Sequence, residues 1–300
     1  MSPEPEPDRT PGLLTRLRGA GLLPRKALGQ HFLHDPALLR SIVGAAELPP
    51  DARVLEIGTG PATLTREIAR VAGSVLTVEV DARMAAFARA ELRGVDNVEV
   101  LVCDALDGHG GLQPELLAKL QDVGGFYWIS NLPYAVGTPL ILAILFCDLQ
   151  WRRAVLTVQR EVAERLTASA VAPGDGKARC GGRSAYGPLS LLVACRARAE
   201  IVRRLPAGAF SPPPRVESGV VRLEPLVAPP VTSAEELDAL RGWVQALFQG
   251  RRKQIGGLLR ERLGAAGAAA ALERGGWSRA VRPENLRLDD FLLLAREFPP

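Results

Sequence analysis

Val54-Leu55-Glu56-Ile57-Gly58-Thr59-Gly60 is the stretch that decides the fold. The apolar run reads as a short buried strand. Two glycines follow at once, where a backbone can pass close to a ligand. The pattern then predicts a helix from near Ala62 to about Val71. Its first N–H groups and positive dipole end face whatever occupies the turn. A lone Gly-x-Gly is weak evidence of a nucleotide site. The third glycine of the dinucleotide fingerprint is missing, because Thr63 stands in its place, and this counts against NAD.

The next strands repeat the pattern. Val75–Val80 ends in Glu79-Val80-Asp81, and Glu79 lies about 20 residues beyond the glycines, where an acid meets a ribose diol. Val98–Val102 runs into Cys103-Asp104-Ala105, whose acid can accept from an adenine amino group. The fourth strand, Phe126–Ile129, leads into Ser130-Asn131-Leu132-Pro133-Tyr134. Asn131 offers a carbonyl acceptor, Pro133 stiffens the turn, and Tyr134 offers a flat face for a base. Each feature alone reads equally as a strand-end cap or a proline turn. Their recurrence at successive strand ends points to one ligand crevice.

Further strands are expected at Ala154–Gln159, near Glu200–Arg204 and at Val216–Glu224, giving a sheet of about seven strands. Alternation with helices predicts a doubly wound α/β domain. Upstream, Leu22–Asp35 reads as an irregular arm in which Lys26, Gln30, His31 and Phe32 could form a lid. His31 and His34 lack further ligands at metal spacing, so no metal is expected. Asp35-Pro36 reads as the cap of a helix over 36–46. Phe210-Ser211-Pro212-Pro213-Pro214-Arg215 is a stiff extended segment presenting Phe210 and Arg215. The Gly-rich stretch 172–185, with Lys177, Arg179 and Arg183, reads as a loop. Beyond a linker at Pro225–Pro230, helical periods appear at 233–248, 252–263, 266–274 and 287–297. The domain reading is a disordered tail over 1–20, a sheet domain with its arm over 21–226, and an all-α domain over 227–300.

Composition narrows the partner. The net charge of +4 lies wholly in residues 201–300, with 15 Lys+Arg against 11 Asp+Glu, and suits a polyanion-facing surface. Four cysteines without C-x-x-C spacing fit a reducing, cytoplasmic setting. The Pro/Glu-rich start lacks the apolar core of a signal peptide. Tyr134–Leu149 is too short and too interrupted for a membrane span.

Strand–Glu-x-Gly-x-Gly–helix with acids after strands two and three is the layout of S-adenosylmethionine-dependent class I methyltransferases. The chain further resembles the ribosomal RNA small-subunit adenine dimethyltransferases. The matching stretches are Gly29-Gln30-His31-Phe32-Leu33, Glu56–Gly60, Glu79-Val80-Asp81, Asp104-Ala105-Leu106 and Asn131-Leu132-Pro133-Tyr134. Further on they are Tyr186-Gly187-Pro188-Leu189-Ser190, Phe210–Ser218 and Phe248-Gln249-Gly250-Arg251-Arg252-Lys253. The resemblance implies N6,N6-dimethylation of two adjacent adenosines in the 3′-terminal hairpin loop of 16S rRNA. It would occur in an immature small subunit during ribosome biogenesis, with the enzyme a monomer. It implies that His31, Leu33, Gly58, Gly60, Glu79, Asp104 and Asn131 hold the cofactor. Asn131, Leu132, Pro133 and Tyr134 would carry catalysis. Tyr134, Phe210, Arg215, Arg251, Arg252 and Lys253 would meet RNA. The large-subunit methyltransferases of macrolide resistance are a similar family, but usually carry Ile at Leu132 and often Phe at Tyr134. A non-catalytic ribosome-assembly factor is the rival outside enzymes. Three departures stand out, one of them a 172–185 loop longer than the family's. His31 replaces the usual Asn of the arm, and imidazole can still donate to the cofactor carboxylate, with a charge that varies near neutral pH. The glycine turn continues as Pro61-Ala62 where a further glycine is usual.

Overall fold

The computed structural model describes residues 12–24, 29–121, 124–170 and 185–299. In chain order the elements are α1 (Leu13–Gly19), β1 (Phe32–Leu33), α2 (Pro36–Gly44), β2 (Arg53–Ile57), α3 (Thr63–Ala69), β3 (Ser74–Glu79) and α4 (Ala82–Glu91). They continue with β4 (Val98–Val102), α5 (Pro114–Gln121), β5 (Phe126–Asn131), α6 (Gly137–Phe146), β6 (Trp151–Gln159) and α7 (Arg160–Thr167). Then come α8 (Pro188–Ala194), β7 (Ala197–Leu205), β8 (Phe210–Ser211), β9 (Ser218–Pro225), α9 (Ala234–Gln249), α10 (Ile255–Gly275) and α11 (Leu288–Glu297).

The main sheet has the order β4-β3-β2-β5-β6-β9-β7. Its first five strands are parallel, and β9 runs antiparallel to both neighbours. Strand residues alternate between two buried faces. Leu55, Ile57, Val78, Trp128 and Leu156 enter one core cluster, while Val54, Val75, Ile129 and Val155 enter the other. Chain order reverses between β2 and β5, and that reversal opens a crevice at the strands' carboxyl ends. The two strands pair only through Val54–Leu55 and Tyr127–Trp128. Beyond that point the Ile57 N–H donates to the Ser130 hydroxyl, at 2.8 Å, rather than to a strand carbonyl.

Three expectations are corrected. The tail assigned to 1–20 is helical over Leu13–Gly19. Leu17 is 1% exposed against Leu22, Phe32 and Met84, and Arg16 pairs with Glu91 at 2.8 Å. Residues 1–11 lie outside the described residues, as does Lys26. So does nearly all of the 172–185 loop, with Lys177, Arg179 and Arg183. The second change is a ribbon the sequence did not announce: Phe32 pairs with Ser211, and Leu33 with Phe210. The third is that Arg251-Arg252-Lys253 sit in a turn before α10, which starts at Ile255. Within α10, Gly264 has a left-handed φ of 73°, and this break separates the two helical periods read from sequence.

The C-terminal helices share their core with the sheet domain. Trp243, Leu259 and Phe291 pack in one cluster with Tyr186, Leu191 and Cys195. Tyr186 meets Phe248 edge-on, and its hydroxyl donates to Leu286 O at 2.8 Å. Among the described residues no helix is long and apolar enough to cross a membrane. Tyr186 is 4% exposed, so Tyr186→Phe leaves a buried carbonyl without its donor. The variant should lose about 1–3 kcal/mol of stability, read from its urea midpoint at unchanged slope.

Candidate active site

The crevice between β2 and β5 is a cleft walled by the arm, the glycine turn and the Asn131–Tyr134 turn. Every residue assigned on sequence grounds to cofactor or catalysis lines it. Phe210, Arg215, Arg251, Arg252 and Lys253 do not.

The floor is built by backbone. Gly58 has φ +90°, and a Cβ there would lie 3.3 Å from the Pro133 ring. Gly60 has φ +51°, and its Cβ would meet the Phe32 ring at 3.2 Å. Glycine is therefore demanded twice over, by dihedral and by space. Ala62, at the N-cap of α3, is also left-handed at φ 61°, although it carries a Cβ. Thr63, where the dinucleotide fingerprint wants glycine, donates its hydroxyl to Leu33 O at 2.8 Å and so fastens the arm. Sequence reading took Thr63 only as an absence. Its partner lies 30 residues away, and no local pattern reports it.

The acids stand at graded depths. Glu79 is 4% exposed. One of its oxygens accepts from Gly60 N at 2.9 Å and the other from Asp81 N at 3.0 Å. Burial pushes its carboxyl above the usual carboxylate range, while these N–H donors pull it back. Each oxygen keeps a second lone pair for a diol. Asp104 stands exposed at the rim and accepts from Leu106 N at 3.0 Å. Glu56 is the acid whose environment sequence reading missed. It is 1% exposed, and one oxygen accepts from Thr65 Oγ1 at 2.6 Å and Thr77 Oγ1 at 2.7 Å. Burial outweighs these donors and raises its pKa to about 8. The glycine cradle, the buried acid beside it and the rim acid fit an adenosine moiety of S-adenosylmethionine.

The catalytic motif closes the opposite wall. Asn131 Nδ2 donates to His31 O at 2.8 Å. A carbonyl only accepts, so the amide must turn its NH₂ toward the arm and keep its oxygen for another partner. Leu132 is buried, with its N–H on Thr157 O at 3.1 Å. Pro133 O accepts from Val136 N at 3.2 Å. The half-buried Tyr134 bonds Ser218 Oγ at 2.6 Å and stacks on the His31 ring, with centroids 5.2 Å apart. His31 Nδ1 lies 2.7 Å from Pro212 O.

The RNA assignments divide. Phe210 is 2% exposed, packed in the core against Leu33 and Leu205, so it cannot stack on a base. Its role is to anchor the β1–β8 ribbon. Arg215 is exposed. Arg251 pairs with Glu284 at 3.1 Å, whereas Arg252 and Lys253 are exposed in the same turn. Among the described residues no cluster of three or more His, Cys, Asp or Glu could hold a metal.

The family model described as ribosomal RNA adenine dimethylase matches residues 22–298. A curated relative from Phenylobacterium zucineum, named Ribosomal RNA small subunit methyltransferase A, is 38% identical over 287 residues, covering 95% of this chain and 92% of that one. A protein of the same name from Leuconostoc mesenteroides is 34% identical over 293 residues, covering 96% and 93%. Among solved structures, a dimethyladenosine transferase from Plasmodium falciparum aligns with a TM-score of 0.71 at 26% identity, covering 89% of this chain and 97% of that one. The 23S rRNA methyltransferase ErmE aligns at 0.65 and 26% identity, covering 90% and 100%.

The Glu56 carboxyl gives a pH prediction. Its folded pKa of about 8 lies above the ordinary value of 4.5. The stability it contributes is full below 4.5 and is lost as pH rises through about 8. Glu56→Gln keeps the acceptor and cannot ionise. Between those limits wild type should lose on the order of a few kcal/mol that the variant retains, read by denaturant unfolding across pH. Glu79 shifts in the same direction, so the variant should be flatter rather than flat.

Proposed function

The chain belongs to the ribosomal RNA adenine dimethylase family, and we propose that it dimethylates the N6 amino groups of two adjacent adenosines in the 3′-terminal hairpin loop of 16S rRNA. The fold is that of a class I methyltransferase, the methyl donor is S-adenosylmethionine, and the substrate is rRNA. The finer reading is that the enzyme acts as a cytoplasmic monomer on an immature small subunit. The orientation of the Asn131 amide carries the proposal.

When bound in the cleft, S-adenosylmethionine supplies an electrophilic methyl on a sulfonium. Gly58 and Gly60 line the pocket against its adenosine part. Glu79 would accept from the ribose diol, and Asp104 from the adenine amino group. Leu33 covers the cofactor from the arm. The target nitrogen is a poor nucleophile, because its lone pair is delocalised into the purine. Asn131 Oδ1 accepts one amino hydrogen. The second hydrogen is assigned to the Leu132 or the Pro133 carbonyl; Pro133 O already receives Val136 N but keeps a second lone pair. Two acceptors that draw the amino hydrogens out of the purine plane favour a pyramidal nitrogen whose lone pair is free to attack. Tyr134 gives the extruded base a flat face, and unstacking costs only a few kcal/mol, least in a loop. Each transfer would break the methyl–sulfur bond and leave a cationic nitrogen that sheds one proton to water; the one hydrogen left after the first transfer is then held by a single acceptor for the second.

Relatives named for the small subunit, at 34% and 38% identity over nearly the whole chain, support the 16S reading over the large-subunit one. Labelled methyl transfer to immature small subunits and to large subunits, followed by nucleoside analysis, tests it. Dimethyladenosine in the small-subunit RNA alone is expected, and label confined to large subunits would sink the assignment.

Two further outcomes follow from the geometry. Asn131→Ala should lower kcat by about 10²–10³, as loss of an aligned polar group does elsewhere, with RNA affinity unchanged in a filter-binding assay. Replacing both Arg252 and Lys253 by Ala should weaken RNA binding uniformly and reduce the slope of log K against log salt by about two.

A further inference from the structure

On sequence grounds His31 is a donor to the cofactor carboxylate. Its contacts point elsewhere. Nδ1 sits 2.7 Å from Pro212 O, and since a carbonyl oxygen only accepts, Nδ1 must carry the hydrogen. That hydrogen is committed to the Pro212 carbonyl and is not available to a carboxylate. The ring itself lies on Tyr134, with centroids 5.2 Å apart and planes 30° apart. The backbone carbonyl of the same residue receives Asn131 Nδ2. Two residues earlier, Gly29 runs so close to the motif that a Cβ would lie 3.1 Å from Tyr134 N. Thr63 fastens the arm from the other side through Leu33 O.

We propose that the His31 side chain positions the target base rather than donating through Nδ1 to the cofactor carboxylate, an inference that rests on the methyl-transfer reading above. An aromatic ring has two faces. His31 takes one face of Tyr134, so an adenine can stack only on the other, and the stacked pair fixes the height at which the amino group meets Asn131. The N–H bond to Pro212 holds the imidazole upright for that contact. The histidine carbonyl fixes the Asn131 amide, but that part belongs to the backbone and survives any side-chain replacement. The side chain's own share is therefore the ring and its one N–H, and substitutions separate them.

Three variants test this: His31→Ala loses both, His31→Phe keeps the ring, and His31→Asn restores the family's usual residue with a donor but no ring. Cofactor affinity is measured by calorimetry on RNA-free protein. kcat and KM are measured with unmodified small subunits at saturating cofactor, and melting temperature is followed for each. His31→Ala is expected to bind S-adenosylmethionine within about twofold of wild type and to lose tenfold or more in kcat, the scale of a misplaced reacting group. His31→Phe should recover most of that loss, and His31→Asn should not. Cofactor affinity falling in Ala and Phe alike, with kcat intact, overturns the proposal in favour of a cofactor ligand. Wild-type kcat in all three overturns it too, and a lowered melting temperature beside that kcat makes the residue purely structural. A wild-type chain that methylates no RNA removes the transfer reading and this one together. An active wild type with insensitive variants removes the role of His31 alone.

Discussion

The hydroxyl of Ser130 holds the point where the sheet divides. It accepts from the Ile57 N–H and from Trp128 Nε1, both at 2.8 Å, and Ser130 is fully buried. A crevice between parallel strands needs them to part, and parting leaves a strand N–H without its ladder partner. A buried N–H in that state costs roughly 1–3 kcal/mol. The serine removes the penalty where β2 and β5 diverge, so the strands can open without an orphaned donor. The glycine turn after β2 and the Asn-Leu-Pro-Tyr turn after β5 then face each other across the gap.

The floor beneath that gap is polar yet buried. Glu56, Thr65, Thr77 and Thr59 form one chain of hydrogen bonds with links of 2.6–2.7 Å, and all four side chains are buried. Such a network rigidifies when every member is satisfied. Its acid has the raised pKa expected of a carboxyl away from water, so the floor adds little negative charge beneath a cationic sulfonium's neighbourhood. Glu79 is different. It accepts two backbone N–H groups, which orient both oxygens before any ribose arrives. One acid thus stiffens the turn while the other is presented to the ligand.

Much of this was legible because it is local. Strand, glycine pair and helix follow one another in 16 residues from Val54 to Ala69, and Glu79 and Asp104 each close their own strand. The seven-stranded sheet follows from alternation alone. What escaped reading depends on distant partners. The Phe32–Leu33 ribbon joins residues about 180 positions apart, and it buries Phe210, whose aromatic ring in a proline-rich segment had looked like a base platform. Helix α1 follows a Pro/Glu-rich start, and only its packing on Phe32 and Met84 reveals it as structure. Arg251 had the look of a phosphate contact until Glu284 was found beside it. The departure at Ala62 also carries more than its sequence suggested. The left-handed backbone persists without glycine, so the turn is imposed by its neighbours at a local cost of about 1–2 kcal/mol.

The same distance argument explains why position 131 carries an amide. Its Nδ2 meets a backbone carbonyl at 2.8 Å, and its oxygen is thereby left to the cleft. Aspartate would set a carboxylate oxygen against that carbonyl, acceptor against acceptor, unless it took up a proton. A serine or threonine hydroxyl can also give and accept, but through one atom rather than two set apart. An amide gives to the arm and accepts from an amino group through two separate atoms in a single plane. The arm therefore does more than cover the cofactor. By taking the donor end of Asn131, it selects which end the substrate meets. The arm at 29–33 and the motif at 131–134 are consequently one specification written in two places, and neither can be read for its chemistry without the other.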